Sequence, residues 1–138
     1  MSEYNDWNQK IIAEFRANGG RVGGPFEGST LLLLHTTGAK SGKEHVTPVM
    51  SFTFDGQLYI VASKAGAPSH PSWYHNLRAN PAVTVELGTE TFAATAIDLP
   101  EPQRAATFAK VVAQAPGFGE YQAKTDRVIP VVRLDRAG

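Results

Sequence analysis

The stretch VTPVMSFTFDGQLYIVAS, residues 46–63, holds two runs rich in β-branched and aromatic residues, joined by Asp55-Gly56. An Asp-Gly pair between such runs is the strongest short-range signal for a β-hairpin, because both residues tolerate the positive φ of a tight turn. Upstream, TLLLLHTT, residues 30–37, reads as a strand apolar enough to be buried on both faces. GAKSGKEH, residues 38–45, is turn chemistry that leads from this strand into the hairpin. Downstream, AVTVELG and TETFAATAIDL, residues 82–99, form a second hairpin across Gly88-Thr89. A last strand is expected over DRVIPVVRL, residues 126–134, with Pro130 marking a sheet edge or a bulge.

Helical patterns surround these strands. Residues 2–20 place Tyr4, Trp7, Ile11, Ile12 and Phe15 at three- and four-residue steps before Gly19-Gly20, an amphipathic helix with a stop. A glycine-rich loop, RVGGPFEGS, follows at residues 21–29. Helices are also expected over HPSWYHNLRANP (70–81), with Pro71 in its first turn, and over PEPQRAATFAKVVAQAP (100–116). GFGEYQAKT (117–125) reads as a short helix or turn. Six strands joined mostly by tight turns exclude a parallel Rossmann sheet and point to an α+β domain, a small antiparallel barrel with appended helices. The 138 residues suit one domain, with residues 1–20 as the N-terminal helix and residues 28–138 as the barrel core.

Composition narrows the function classes. Thirteen Lys and Arg balance thirteen Asp and Glu, so no global field draws the chain to nucleic acid, and any anion must be captured locally. The absence of cysteine excludes a disulfide framework, a thiolate metal site and a cysteine nucleophile. The polar start MSEYNDWNQK is unlike a signal peptide, and LLLLH falls far short of a membrane span, so a cytoplasmic protein is expected. The first helix is expected to lie on its own barrel. A membrane-skimming role is the alternative, but two basic residues against three acids suit anionic lipid poorly.

Two clusters carry candidate chemistry. The first turn sets Lys40 and Lys43 among Gly38, Ser41 and Gly42, small residues that expose backbone N–H groups to an anion. Alone it reads first as a solvated hairpin turn. In the second, Lys64 ends a strand, Ala65, Gly66, Ala67 and Pro68 let the chain pass close to a ligand, and a helix starts near Pro71. If their strands are neighbours, the two lysine turns converge on one anionic ligand. His70 and His75 are five residues apart and would not share a helix face, so no metal site is expected. Trp73 and Leu77 read as a core stripe, Tyr74 serves either packing or a ligand, and no nucleophile elbow accompanies the serines.

LLLLHTTGAKSGKEHVTPV, YIVASKAGAPSHPSWYHNLRANPAVTVELG and GFGEYQAKTDRVIPVVRL resemble, in order, the three signature blocks of the deazaflavin-dependent nitroreductase family, actinobacterial reductases that use coenzyme F420. The resemblance covers about residues 30 to 135, and its middle block is the most specific. It implies a split β-barrel of the FMN-binding, pyridoxamine-phosphate-oxidase-like kind that holds a deazaflavin beside an open substrate pocket. It further implies that Lys40, Ser41, Lys43, His45, Thr47 and Pro48 of the first block, and Ser63, Lys64, Ala65, Gly66, Pro71, Ser72 and Trp73 of the second, line the cofactor. Two departures stand out: Ala39 occupies a usually basic position and His45 one where arginine is common. Phe118 and Tyr121 replace a set of tyrosines found in some relatives, so nitroimidazole specificity does not carry over.

The expected activity is hydride transfer from reduced F420 to an electron-poor small molecule, either a quinone or an activated enone or lactone of the coumarin kind. The chain would hold the acceptor about 3 to 3.5 Å from the donor carbon. Ser63 or Tyr121 would hydrogen-bond the developing oxyanion. Three alternatives remain open: the same barrel with FMN, a non-catalytic deazaflavin-binding or storage protein, and a small-molecule binder that takes neither cofactor. The expected state is a monomer or a weak homodimer, with peripheral membrane contact through the first helix left open.

Overall fold

Six strands, β1 (Leu31–Thr37), β2 (Glu44–Phe54), β3 (Gln57–Val61), β4 (Ala82–Leu87), β5 (Glu90–Asp98) and β6 (Val131–Arg136), close into a barrel in the order β1-β2-β3-β6-β5-β4. Every neighbouring pair is antiparallel. The computed structural model describes residues 3–23 and 30–137, with side chains from Asn8 onward except that of Ala65. Four helices accompany the barrel: α1 (Glu3–Ala17), α2 (Ser72–Ala79), α3 (Gln103–Gln114) and α4 (Gly117–Ala123), with a 3-10 turn over Lys64–Gly66. The α+β antiparallel barrel read from the sequence is therefore what the chain forms.

Both hairpins form where the turn residues place them. Asp55 and Gly56 take φ values of 53° and 77°, the paired left-handed conformation of a type I′ turn, and Phe54 faces Gln57 across it. Leu87 faces Glu90 across Gly88-Thr89 in the second.

The last strand differs from its expectation in two ways. It starts at Val131, because Pro130 has no N–H with which to open a ladder; instead its carbonyl accepts the N–H of Ala62 at 3.0 Å. Nor is it an edge, since β6 pairs with β3 on one side and β5 on the other. Closure removed the edge that proline was expected to mark.

Three apolar clusters explain the helices. Inside the barrel, Leu32, Leu34, Ile60, Val85, Val132 and Leu134 pack with Trp73, Tyr74 and Leu77, so α2 closes one end. Leu31 and Leu33 point outward and meet Ile11, Ile12 and Phe15 of α1. Residues 31–34 are all buried, because the barrel takes one face and α1 the other. Each such leucine contributes about 1.5 to 3 kcal/mol. The stripe of α1 from Ile11 onward thus lies on its own barrel; Tyr4 and Trp7, expected in the same stripe, lie outside the described side chains, as does most of the 21–29 loop. A third cluster joins Phe52, Val61 and Val131 to Val111 of α3 and Phe118 of α4.

The barrel is incomplete along one seam. β2 pairs with β1 over residues 44–50 but with β3 only over residues 51–54. Ser51 donates its N–H to Thr30 of the β1 side, and alternation from there turns the N–H and C=O of Val46 away from β1. Pro48 falls on the same parity, where its missing N–H costs no ladder bond. Beyond Val61 the chain leaves β3 for the 3-10 turn and α2, so a groove opens beside the unpaired half of β2.

Candidate active site

The groove has a volume of about 600 Å³, within the range of small-molecule sites. Three walls form it: Glu44, His45, Val46 and Thr47 of β2; Lys64, Pro71, Ser72, Trp73 and Asn76; and Asn8 and Gln9 of α1. A larger hollow of about 670 Å³ opens at the other end of the barrel, but its charged groups satisfy one another. There Arg133 meets Asp135 at 2.7 Å and Arg136 meets Glu90 at 2.9 Å, leaving no cation for a ligand among the described lining residues.

The groove's donors suit an anion. α2 begins without a side-chain cap after Pro71, and the N–H groups of Ser72 and Trp73 have no acceptor within the helix. The Lys64 ammonium is exposed and donates to Ser69 Oγ at 3.3 Å, a neutral partner, and it forms no salt bridge among the described residues. Glu44 is the one carboxylate among the described lining residues. Trp73 offers an aromatic surface, 7% exposed, that belongs to both the core and the groove. Together, cation, free helix N–H groups, strand edge and indole fit a flat heterocycle that carries phosphate and carboxylate groups.

The two lysine turns are both tied to α2, though unequally. Ala39 N donates to Asn76 Oδ1 at 3.0 Å, Asn76 Nδ2 donates to Thr36 Oγ1 at 3.4 Å, and Asn80 Nδ2 to Thr37 O at 3.4 Å. These bonds bring the first turn to the helix that lines the groove. Lys40, Ser41 and Lys43 themselves stay exposed on the turn and outside the lining, with Ser41 Oγ accepting the Lys43 N–H at 3.2 Å.

Of the other expected residues, His45, Thr47, Lys64, Pro71, Ser72 and Trp73 line the groove, and Pro48 lies next along β2. Pro71 sits one position before α2 rather than in its first turn. Ser63 is buried at the head of the 3-10 turn. Gly66 has φ 82°, and a Cβ there would lie 2.8 Å from the carbonyl oxygen of Tyr121. The close approach that this glycine permits is therefore to the backbone of α4. Tyr121 stands on α4 against Phe118, outside the groove lining, with its backbone against Gly66 of the 3-10 turn.

The remaining aromatic groups are structural neighbours. Tyr74 is buried, donates its hydroxyl to Asp98 Oδ2 at 2.7 Å, and is pushed up to about 12 by burial and then by that carboxylate. The rings of His70 and His75 touch, with centroids 5.6 Å apart, because residue 70 precedes the helix and is free of its angular rule. Burial, followed by Arg127, His75 and Arg78, holds His70 below the ordinary imidazole range. No group of three metal-ligating side chains occurs among the described residues.

Several site residues carried no local signal. Arg127 grips the loop before α2, and Asn76 ties the first turn to that helix. Asn8 and Gln9 enter the groove because α1 is pinned by an ion network: Arg16 meets Glu86 with bonds of 3.0 and 2.7 Å, and His35 Nε2 lies 2.6 Å from the same carboxylate. Arg16 and then His35 hold Glu86 at about 2. The signature blocks alone could flag any of these: the Asn-Leu pair at residues 76–77 lies in the middle block and Arg127 in the third.

Residues 7–135 match the family described as F420H(2)-dependent quinone reductase. An F420H(2)-dependent quinone reductase of Mycobacterium tuberculosis is 42% identical over 129 residues, covering 90% of this chain and 86% of that protein. Among solved structures, an F420-H2 dependent reductase named FDR-A superposes with a TM-score of 0.69 at 43% identity, over 76% of this chain and 93% of its own. Another, described as a domain-swapped dimer, superposes with a TM-score of 0.72 at 35% identity, over 97% of this chain and 100% of its own.

Proposed function

The chain belongs to the F420H(2)-dependent quinone reductase family, an oxidoreductase family that uses coenzyme F420, and from that premise we propose that it reduces a quinone at the groove between β2 and α2. The observation that carries this reading is the pairing of Lys64 with the uncapped start of α2 beside an unpaired strand edge. Lys64 and the N–H groups of Ser72 and Trp73 would hold the phosphate-bearing tail, with Lys40 and Lys43 reached by its outer carboxylates. Trp73, Thr47 and the backbone edge of β2 would support the ring, and His45, Ser41, Pro48, Ala65 and Gly66 would shape its surroundings.

Reduced F420 supplies a hydride when bound. The chain's own task is to seat the acceptor, exclude competing water and stabilise the oxygen that becomes negative as the quinone takes two electrons. Ser63 and Tyr121 are the hydroxyls proposed for that oxygen, with Tyr121 reaching it from α4 across the 3-10 turn. A proton from solvent or from one of these hydroxyls completes the hydroquinone.

Anaerobic stopped-flow mixing of the F420H2-loaded protein with a soluble naphthoquinone tests the reading. One hydroquinone should appear for each F420H2 lost, with no one-electron species. Turnover of a coumarin-like enone but no quinone would move the substrate class to activated enones; tight F420 binding with no acceptor consumed would make this a storage protein. Binding of FMN in preference to F420 would replace the cofactor.

Membrane encounter and assembly belong to the same proposal. No helix among the described residues is long and apolar enough to cross a membrane. With Ile11, Ile12 and Phe15 already buried, cytoplasmic protein would meet a membrane quinone peripherally. A monomer or weak homodimer is proposed, and sedimentation at several concentrations would separate either from a swapped dimer.

A further inference from the structure

Arg127 lies outside the groove lining, yet its guanidinium spans the whole loop that carries Lys64. Nε donates to Ala67 O at 2.9 Å, Nη2 to Ser63 O at 2.7 Å and Nη1 to Ala62 O at 3.1 Å, and Nη1 also lies 3.1 Å from His70 Nδ1. A guanidinium sets its donors in a rigid plane, so these four acceptors are fixed relative to one another. Lys64 sits at the centre of the span with φ 47°, a left-handed conformation that L side chains seldom hold without outside restraint.

Every partner of Arg127 is neutral. Among the described residues no carboxylate lies in salt-bridge range, and burial pulls its pKa down for want of an anion. A half-buried guanidinium arranged in this way directs its hydrogen bonds to the loop and not to an ion pair.

Arg127 is itself anchored to α4. Gln122 Nε2 donates to Arg127 O at 2.7 Å, and Gln122 Oε1 accepts the Ile129 N–H at 3.0 Å. The same helix abuts Gly66 through the Tyr121 carbonyl. The turn is thus held from α4 at two points.

We propose that Arg127 is a positioning residue for the anion-binding turn: through Ala62, Ser63, Ala67 and His70 it keeps Lys64 in the left-handed conformation that presents its ammonium to the groove. The proposal rests on the groove being the F420 site, and its test separates the two ideas. In ligand-free protein, hydrogen exchange reads the turn directly through the N–H groups of Gly66 and Ala67, bonded to Ser63 O at 2.9 Å and Lys64 O at 3.0 Å. Arg127→Ala should raise exchange at both while leaving the β1–β2 ladder protected. Fluorescence titration with F420 should show affinity reduced about tenfold or more, the scale of a charge-assisted hydrogen bond lost. Lys64→Ala should lose a similar factor, and the double variant little beyond the larger single loss, because Arg127 acts through Lys64. Arg127→Lys keeps the charge without the fork and should show both effects in smaller measure, which guards against misfolding of the alanine variant. Unchanged exchange at Gly66 and Ala67, or fully additive losses in the double variant, would overturn the role of Arg127. Failure of the unaltered protein to bind F420 would instead overturn the cofactor reading, with the exchange experiment still deciding what holds the turn.

Discussion

Two turns in this chain look alike as sequence, each a lysine among small residues at the end of a strand, and the fold treats them differently. The turn bearing Lys40 and Lys43 is exposed, its glycine at 42 has φ 70°, and a Cβ there would meet nothing within 4 Å. The turn bearing Lys64 is wedged between the groove and α4, with three of its backbone carbonyls in the grasp of one arginine. In the first, Gly42 gives its own backbone a left-handed turn in open space; in the second, Gly66 gives a neighbouring backbone room. Composition alone does not distinguish these uses, because the deciding contact comes from Tyr121, far along the chain.

The sharpest way to break this comparison is to add one carbon to each turn. Gly66→Ala combines positive φ with a clash against a carbonyl that cannot rotate away, and should destabilise by about 2 to 3 kcal/mol. Gly42→Ala meets only the left-handed penalty, about 1 kcal/mol. Thermal unfolding of the two variants should therefore differ clearly, and equal losses would mean that α4 yields to the added carbon. Removing the lysines is next in size. Lys64→Ala should raise the F420 dissociation constant by about 1.5 to 3 kcal/mol in free energy, read by titration. Lys40→Ala and Lys43→Ala, on an exposed turn, should each cost below about 1 kcal/mol, and added salt should shrink that cost further. A Lys40 effect as large as that of Lys64 would show that the tail is gripped mainly at the rim.

The groove's third wall offers another test. Glu86 sits at about 2 because Arg16 and His35 bind its charged form. A carboxylate depressed in the folded state contributes stability above its unfolded pKa, lost as pH falls from the ordinary carboxylate range toward about 2. Glu86→Gln should remove about 1 kcal/mol at neutral pH and flatten the acid limb of the stability curve over that window. Chemical denaturation at several pH values would show it. Unchanged acid sensitivity would mean that α1 is held by Ile11, Ile12 and Phe15 alone.

Much of the fold was legible because it rests on local chemistry. Asp55-Gly56 specified its turn, the unbroken Leu31–Leu34 run announced a strand covered on both faces, and the signature blocks named the family before any contact was known. Pro130 misled for a local reason too: proline forbids a ladder bond at its own position, but whether the next residues form an edge depends on closure with β3 and β5. The lining of the candidate groove was half legible. His45, Thr47, Lys64, Pro71, Ser72 and Trp73 were expected around a ligand and line the groove, whereas Asn8 and Gln9 reach it, and Arg127 braces its lysine turn from outside the lining, over long sequence separations.

The sequence by itself determined that this is an antiparallel barrel with appended helices and a member of a deazaflavin-using reductase family, since hairpin turns, hydrophobic runs and signature spacing are all short-range patterns. Only the tertiary structure decided where the barrel splits, which of the two lysine turns faces the groove, and what holds that turn in place. Those outcomes depend on β2 losing its second partner after residue 50 counted back toward its start, on α1 docking across β1 and β4, and on Arg127 arriving from beyond α4. They are meetings of segments far apart in the chain, fixed by closure and packing, which no local stretch encodes.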